Sequence, residues 1–195
     1  MTLVYTSGTT GPPKGAMLSN ANAAYAMEKI INEADRVPDG KSPGPDDLIL
    51  TYLPLCHVAE RIFSTWTMCT AGSSLNFAES IDTVTLNLRE VQPTVFFAVP
   101  RIWERLLAGV YIRGNDATPF KRALFNFGIR LARTIGKEKV ANGGDHTVKS
   151  RVLSWIGEPL VFRAIKERIG LRRCRYSASG AAAIAPEVLE FFMGI

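Results

Sequence analysis

The chain has 195 residues, of which 47% are hydrophobic and 21% charged, proportions that suit a folded globular domain and exclude a mainly disordered chain. No apolar run approaches the ~20 residues of a membrane-spanning helix, and the first residues lack a secretory signal, so we expect a cytoplasmic protein. Three cysteines lie far apart and histidines number only two, which argues against a disulfide framework and a transition-metal centre.

The net charge of +5 is unevenly distributed along the chain. Residues 101–175 hold 17 lysines and arginines against 6 acidic residues. Such a segment suits nucleic acid, an anionic membrane, a polyanionic small molecule or simply solvated helix faces. Most of its aromatic residues fall on apolar helical stripes, which is typical of a core, so we expect no nucleic-acid partner. A peripheral membrane contact stays open, and the sequence predicts no oligomeric state.

The first part of the chain predicts a strand, a loop and a helix. Residues 3–7 are typical of a short buried strand, and residues 8–15 hold too many prolines and glycines for regular structure. Ser19 or Asn20 can cap a helix that reaches about Asp35 and buries Ala23, Met27, Ile30 and Ile31. Residues 38–47 are predicted to be a surface loop.

Strand and helix patterns then alternate as far as residue 99. Strands are predicted at 48–53, 74–77 and 94–99, with helices at 58–70 and 81–91. Residues 101–169 are mainly helical, with breaks at Pro119 and Pro159 and a turn at 141–145. A strand at 175–178, a loop at 179–182 and a helix opened by Pro186 complete the pattern. It predicts an α/β fold, a mostly parallel sheet with helices on both faces.

The string TSGTTGPPKG at residues 6–15 carries the strongest chemical signal. Its glycines let backbone amides approach a ligand, and its hydroxyls can donate to phosphate oxygens. Lys14 adds a mobile positive charge suited to a polyphosphate. The string is not a Walker A loop, because Pro13 precedes the lysine and Gly15 stands where that motif needs a hydroxyl.

This string closely resembles the phosphate loop of the adenylate-forming, or AMP-binding, superfamily. The resemblance implies that the loop holds the phosphates of ATP while a substrate carboxylate attacks the α-phosphate, with Thr6 and Lys14 as catalytic residues. The nucleotide-binding residues it implies here are Thr6, Ser7, Gly8, Thr9, Thr10, Gly11 and Lys14.

Two further motifs follow in the order of that family. The string LPLCHVAER at residues 53–61 resembles the long-chain fatty acyl-CoA synthetase branch and implies an acyl pocket bordered by His57 and Arg61, although a lone histidine here is more often a helix cap. In the string at 96–105, Ile102 and Trp103 are typical of a core. The Ser-Gly-Ala-Ala loop implies adenine contacts at Gly180, Ala181 and Ala182, at the carboxyl end of a strand.

The resemblance implies ATP-dependent activation of a long-chain fatty acid through an acyl-adenylate to an acyl-CoA. ATP, Mg²⁺ and CoA are the implied cofactors or co-substrates, with no metal ligand in this chain. Both ends are abrupt, so we expect residues 1–195 to be part of the AMP-binding N-terminal domain, without the C-terminal domain. The alternatives are a ligase for another acid or thiol, and a catalytically silent nucleotide-binding fragment.

Overall fold

The computed structural model describes residues 2–6, 12–32, 41–116 and 118–195. Residues 7–11 of the predicted phosphate loop, and the predicted end of the first helix, lie outside these ranges. The chain forms two compact units, each described by itself below. The first comprises Met1–Phe96 and Arg173–Ser177, and the second Phe97–Arg172 and Ala178–Ile195.

The first unit begins with an antiparallel hairpin of β1 (Thr2–Thr6) and β2 (Lys14–Leu18). The strand at β1 was predicted, but the prediction that Lys14 and Gly15 belong to a loop was wrong. Pro13 biases the residue before it towards extended backbone, and pairing with β1 then satisfies the backbone groups of the following residues. The predicted loop is therefore shorter at its carboxyl end.

Helix α1 (Asn20–Asn32) follows the hairpin directly. The Ser19 hydroxyl accepts from the Asn22 amide at 3.1 Å, and the Asn22 side chain accepts from the Ser19 amide at 2.9 Å. This reciprocal cap satisfies backbone donors at the start of the helix. Met27 is buried and Ala23 and Ile30 are half-buried, which confirms these three members of the predicted apolar stripe.

A four-stranded sheet with the strand order β4-β3-β5-β6 confirms the predicted α/β class. Strand β3 pairs in parallel with both of its neighbours. The carboxyl ends of these three strands therefore lie at one edge, where ligands bind in open α/β sheets. The strands are β3 (Leu48–Thr51), β4 (Ser74–Phe77), β5 (Val95–Ala98) and β6 (Tyr176–Ser179).

The predicted helix at 58–70 is present but contains a wide turn. It consists of α2 (Val58–Glu60), a π-helical segment (Arg61–Trp66) and α3 (Thr67–Ala71). The Thr67 hydroxyl donates to the Ile62 carbonyl at 2.7 Å, a side-chain bond that accommodates the widened backbone. Helix α4 (Val84–Val91) begins three residues later than predicted, after hydroxyl-bonded turns at Ser80 and Thr83.

A buried ion pair anchors the amino ends of the sheet strands in the first unit. Arg175 donates from Nε and Nη2 to the two carboxylate oxygens of Asp47, at 3.0 and 2.5 Å. Asp47 is 5% exposed and also accepts from the Thr94 hydroxyl at 2.6 Å. Burial acts to raise the pKa of Asp47, but the hydrogen bonds from Arg175 and Thr94 outweigh it and hold the pKa below its ordinary value.

The second unit is mainly helical, as predicted for residues 101–169. Ile102 and Trp103 are each 4% exposed, which confirms them as core residues. Pro119 opens a helix, but the prediction that Pro159 breaks the pattern was wrong, because a π-helical segment (Glu158–Phe162) absorbs the proline within a continuous helix. The helices are α5 (Pro100–Asn115), α6 (Pro119–Ala141), α7 (Val148–Gly157), α8 (Arg163–Ile169) and α9 (Pro186–Gly194).

Helices α6 and α9 pack backbone against backbone through glycines. A Cβ atom added at Gly136 would lie 1.7 Å from the Glu190 carbonyl oxygen. One added at Gly194 would lie 1.9 Å from the Ala132 carbonyl oxygen. Since neither oxygen can move without its helix, only glycine fits at these two positions.

Candidate functional site

The hairpin brings together two residues of the predicted phosphate site. Thr6 and Lys14 are partners in the antiparallel register and form the last pair before the connecting loop. Lys14 is exposed. The loop residues Ser7, Gly8, Thr9, Thr10 and Gly11 lie outside the described residues, and their role stays a prediction.

Gly15 has a packing role that sequence reasoning missed. It pairs with Tyr5 across the hairpin, and a Cβ atom added at Gly15 would lie 3.3 Å from the Tyr5 ring. An aromatic ring that packs over a glycine on the neighbouring strand stabilises the strand pair at a position that has no side chain of its own. Gly15 therefore supports the hairpin next to Lys14.

His57 lies after the carboxyl end of β3 and caps the helix that follows. Its Nδ1 accepts a hydrogen bond from the Ala59 amide at 3.1 Å, as an N-cap side chain does. An accepting Nδ1 places the ring proton on Nε2 in the neutral imidazole. His57 is exposed, so Nε2 can contact a ligand while Nδ1 maintains the cap.

Glu60 holds the loop in front of His57 and was not predicted. It is 5% exposed, and its Oε2 accepts from the Leu53 amide at 2.9 Å. Burial raises the pKa of the Glu60 carboxyl, although the Leu53 hydrogen bond opposes the rise. A glutamate three residues after a helix cap is a capping-box signal, and it was the signal that could have identified this residue.

Arg61 connects the loop before His57 to the hairpin of β1 and β2. Its Nε donates to the Leu55 carbonyl at 2.8 Å, and its Nη1 lies 3.5 Å from the Thr2 hydroxyl on β1. The arginine therefore contacts both the loop before His57 and strand β1. Its predicted place beside an acyl pocket stays a prediction, but these contacts give it a positioning role.

The predicted adenine loop lies in the second unit, directly after β6. Ala181 has a backbone φ of +70°, a value that residues other than glycine rarely adopt. Such residues cluster at functional sites. A Cβ atom added at Gly180 would lie 3.0 Å from the Phe97 ring. Ala181 and Ala182 are exposed, so the loop presents small side chains and open backbone on which a flat ring can lie.

Comparisons with known proteins agree with these motifs. The family model described as AMP-binding enzyme matches residues 1–195. Long-chain-fatty-acid–CoA ligases ACSBG2 of Xenopus laevis and Gallus gallus are 32% and 34% identical to the chain, over all of it and over 26% and 25% of their own lengths. The putative fatty-acid–CoA ligase fadD11 of Mycobacterium tuberculosis is 32% identical and is covered over 33% of its length.

Solved structures share the fold. The adenylation domain of a carboxylate reductase from Mycobacterium chelonae matches 98% of the chain with a TM-score of 0.57 and 22% identity, over 24% of that domain. The A-PCP didomain of a carboxylic acid reductase from Segniliparus rugosus, solved with AMP, also has a TM-score of 0.57, with 27% identity, covering 98% of the chain and 22% of that structure. The chain thus spans about a quarter to a third of the length of these relatives. It belongs to the family of AMP-binding enzymes.

Proposed function

We propose that the protein containing this chain is an acid–thiol ligase that uses ATP to activate a long-chain fatty acid, first as an acyl-adenylate and then as an acyl-CoA. The observation that carries the proposal is the register that pairs Thr6 with Lys14 at the base of the Gly- and Thr-rich loop. The names of relatives at 32–34% identity support the fatty-acid substrate and the CoA acceptor.

For the proposed reaction, the protein must position the substrates and neutralise the charge of the phosphates. A carboxylate oxygen attacks the α-phosphorus of ATP and pyrophosphate leaves; the CoA thiolate then attacks the acyl carbon and AMP leaves. Lys14 neutralises charge on the departing pyrophosphate, and Thr6 with the loop hydroxyls and amides orients the phosphates. Gly180, Ala181 and Ala182 support the adenine, and His57 borders the acyl pocket on the loop that Arg61 fixes.

Magnesium enters this scheme with the nucleotide. Among the described residues, no group of three or more His, Cys, Asp and Glu side chains could hold a metal ion. In the proposed scheme, Mg²⁺ would be held by the phosphates of ATP, where it would neutralise part of their charge. We further propose that residues 1–195 form part of the N-terminal nucleotide-binding domain of a cytoplasmic enzyme. Among the described residues, no helix is long and apolar enough to cross a membrane.

The substitution Lys14→Ala tests the proposal at its central residue. Losing one well-placed cation should slow ATP–pyrophosphate exchange by the full-length protein by ~10²–10³-fold. Lys121→Ala, which removes an exposed lysine from α6, is the matched control and should leave exchange unchanged. Calorimetric titration of the 195-residue chain with ATP should show weaker binding for Lys14→Ala only. Unchanged exchange and binding in Lys14→Ala would refute the assignment.

A ligase for a different acid is the second candidate. A related adenylation domain from Segniliparus rugosus, 26% identical with a TM-score of 0.53, was solved with AMP and a co-purified carboxylic acid. A panel of fatty and aromatic acids in the exchange assay separates the two candidates, since only the preferred acid class should stimulate exchange. Binding of ATP without exchange for any acid would instead indicate a silent nucleotide-binding protein.

A further inference from the structure

Glu60 does not form the hydrogen bond that its position predicts. In a capping box, the glutamate that follows the N-cap by one turn accepts from the amide of the cap residue itself. Here the N-cap is His57, and its amide donates to the Pro54 carbonyl at 2.8 Å. The Glu60 carboxyl instead accepts from the Leu53 amide at 2.9 Å. Glu60 therefore ties the chain before the loop to the helix that follows it.

The Glu60 side chain is held inside the first unit. Glu60 is 5% exposed, and Ser64, one turn further along the helix, is fully buried. The Ser64 hydroxyl donates to the Glu60 carbonyl, and the Tyr52 amide lies beside the Glu60 carboxyl. A side chain that is packed and hydrogen-bonded in this way has little freedom to move. The tie between the two arms of the loop therefore does not depend on exposed surface.

Arg61 holds the same loop at a second point. Its Nε donates to the Leu55 carbonyl at 2.8 Å. The Ala59 amide, one residue before Glu60, donates to Nδ1 of His57 at 3.1 Å. One short turn of helix therefore holds the loop through two side chains and the His57 ring through a backbone amide. A shift of this turn relative to the end of β3 would change the direction of the ring.

We propose that Glu60 is a positioning residue, whose hydrogen bond with the Leu53 amide directs the His57 ring towards the carboxylic acid substrate. Loss of this bond leaves the Leu53 amide without its acceptor, and the turn that holds His57 can then move relative to β3. Thr6 and Lys14 lie on the hairpin, a separate element, so ATP binding should respond far less. The effect on the acid rests on the proposed ligase function, whereas the geometry of the loop does not.

ATP–pyrophosphate exchange by the full-length protein tests the effect on the substrate. For the acid that stimulates exchange best, Glu60→Ala should raise the KM by about tenfold, while the KM for ATP stays unchanged. Glu60→Gln keeps an acceptor for the Leu53 amide and should restore the KM for the acid. Glu90→Ala is the matched control, because Glu90 accepts from the Asn87 side chain at 3.1 Å on another helix of the same unit, and it should change neither KM. An unchanged KM for the acid in Glu60→Ala, or an equal rise in both KM values, would overturn the proposal.

Nuclear magnetic resonance of the His57 ring tests the geometry without any activity. The 195-residue chain has two histidines, so labelling histidine with nitrogen-15 gives two sets of ring signals, and His146→Gln identifies those of His57. The signals should show an accepting Nδ1 and a protonated Nε2 in the unmodified chain and in Glu60→Gln, and Glu60→Ala should lose this pattern.

Arg61→Met keeps the test decisive if circular dichroism shows that Glu60→Ala does not fold. It removes the second side-chain contact with the loop and should alter the His57 signals in the same direction. Unaltered His57 signals in a folded Glu60→Ala variant, or in Arg61→Met where Glu60→Ala does not fold, would overturn the proposal. If the full-length protein catalyses no exchange with any acid, the proposed ligase function fails, and the His57 signals still decide whether Glu60 positions the ring.

Discussion

Removing Arg175 should strongly destabilise the first unit, because it leaves a buried charge without its partner. Asp47 is 5% exposed and takes two hydrogen bonds from the guanidinium of Arg175. Breaking one side of a buried pair costs ~3–5 kcal/mol. Arg175 also donates to the Lys41 and Ser42 carbonyls, at 2.6 and 3.1 Å, so Arg175→Met should lie at the upper end of that range.

Urea unfolding at neutral pH, followed by circular dichroism, measures this loss as a drop in the free energy of unfolding. The double variant Asp47→Asn with Arg175→Met should be less destabilised than Arg175→Met alone, because it removes the uncompensated charge. Lys149→Ala, which breaks an exposed ion pair with Glu138, should change stability far less. A loss below ~1 kcal/mol in Arg175→Met would refute the reasoning, since that is the range of exposed pairs.

The same pair should make stability depend on acid. The folded-state pKa of Asp47 is lowered, so its contribution is fully present above the unfolded pKa of ~3.9 and is lost as the pH falls through the folded pKa. The stability difference between the unmodified chain and the double variant should therefore shrink in acid. A difference that is constant across this range would contradict the assigned cause.

Three other substitutions have defined outcomes. The folded-state pKa of Glu60 is raised, so ionising this carboxyl lowers the stability of the fold; the cost is absent below the unfolded pKa of ~4.3 and complete above the folded pKa. The variant Glu60→Gln keeps an acceptor for the Leu53 amide, so its free energy of unfolding should rise relative to that of the unmodified chain as the pH rises. A relative loss of stability in urea titrations would contradict the burial argument. Gly136→Ala should lower the free energy of unfolding by at least ~2 kcal/mol because the Glu190 carbonyl blocks the methyl group. Gly109→Ala, which has no atom within 4 Å of its added Cβ, should instead raise the free energy of unfolding by up to ~1 kcal/mol in thermal or urea unfolding. Equal effects at both glycines would count against the close α6–α9 contact.

The alternation of strand and helix patterns was sufficient to predict the sheet strands, because each strand is short and a helical segment separates it from the next. Strand β4 (Ser74–Phe77) has the predicted bounds. Two predictions that rested on prolines were wrong. Pro13 precedes a strand rather than ending a loop, and Pro159 lies inside a widened helical turn. The extended backbone that Pro13 favours continues into β2, and the widened turn accommodates Pro159 without a break in the helix.

The polar contacts that join distant parts of the chain were less accessible from sequence. Arg175 and Asp47 are 128 positions apart, and no local pattern links them. The motifs identified candidate site residues such as Lys14 and His57, whose chemical roles stay predictions. They did not predict Glu60 and Arg61 as the residues that fix the His57 loop, because those roles depend on the direction of each side chain after the chain has turned.

The long hydrogen bond from Arg61 to Thr2 has a practical consequence for anyone who modifies the amino end of the chain. It joins residues 59 positions apart, so the first strand and the π-helical segment that follows α2 share one contact. Trimming the chain past Thr2 would remove an acceptor from Arg61 and loosen the turn that carries His57. A structural change near His57 in such a shortened protein would then originate far along the chain from the edit.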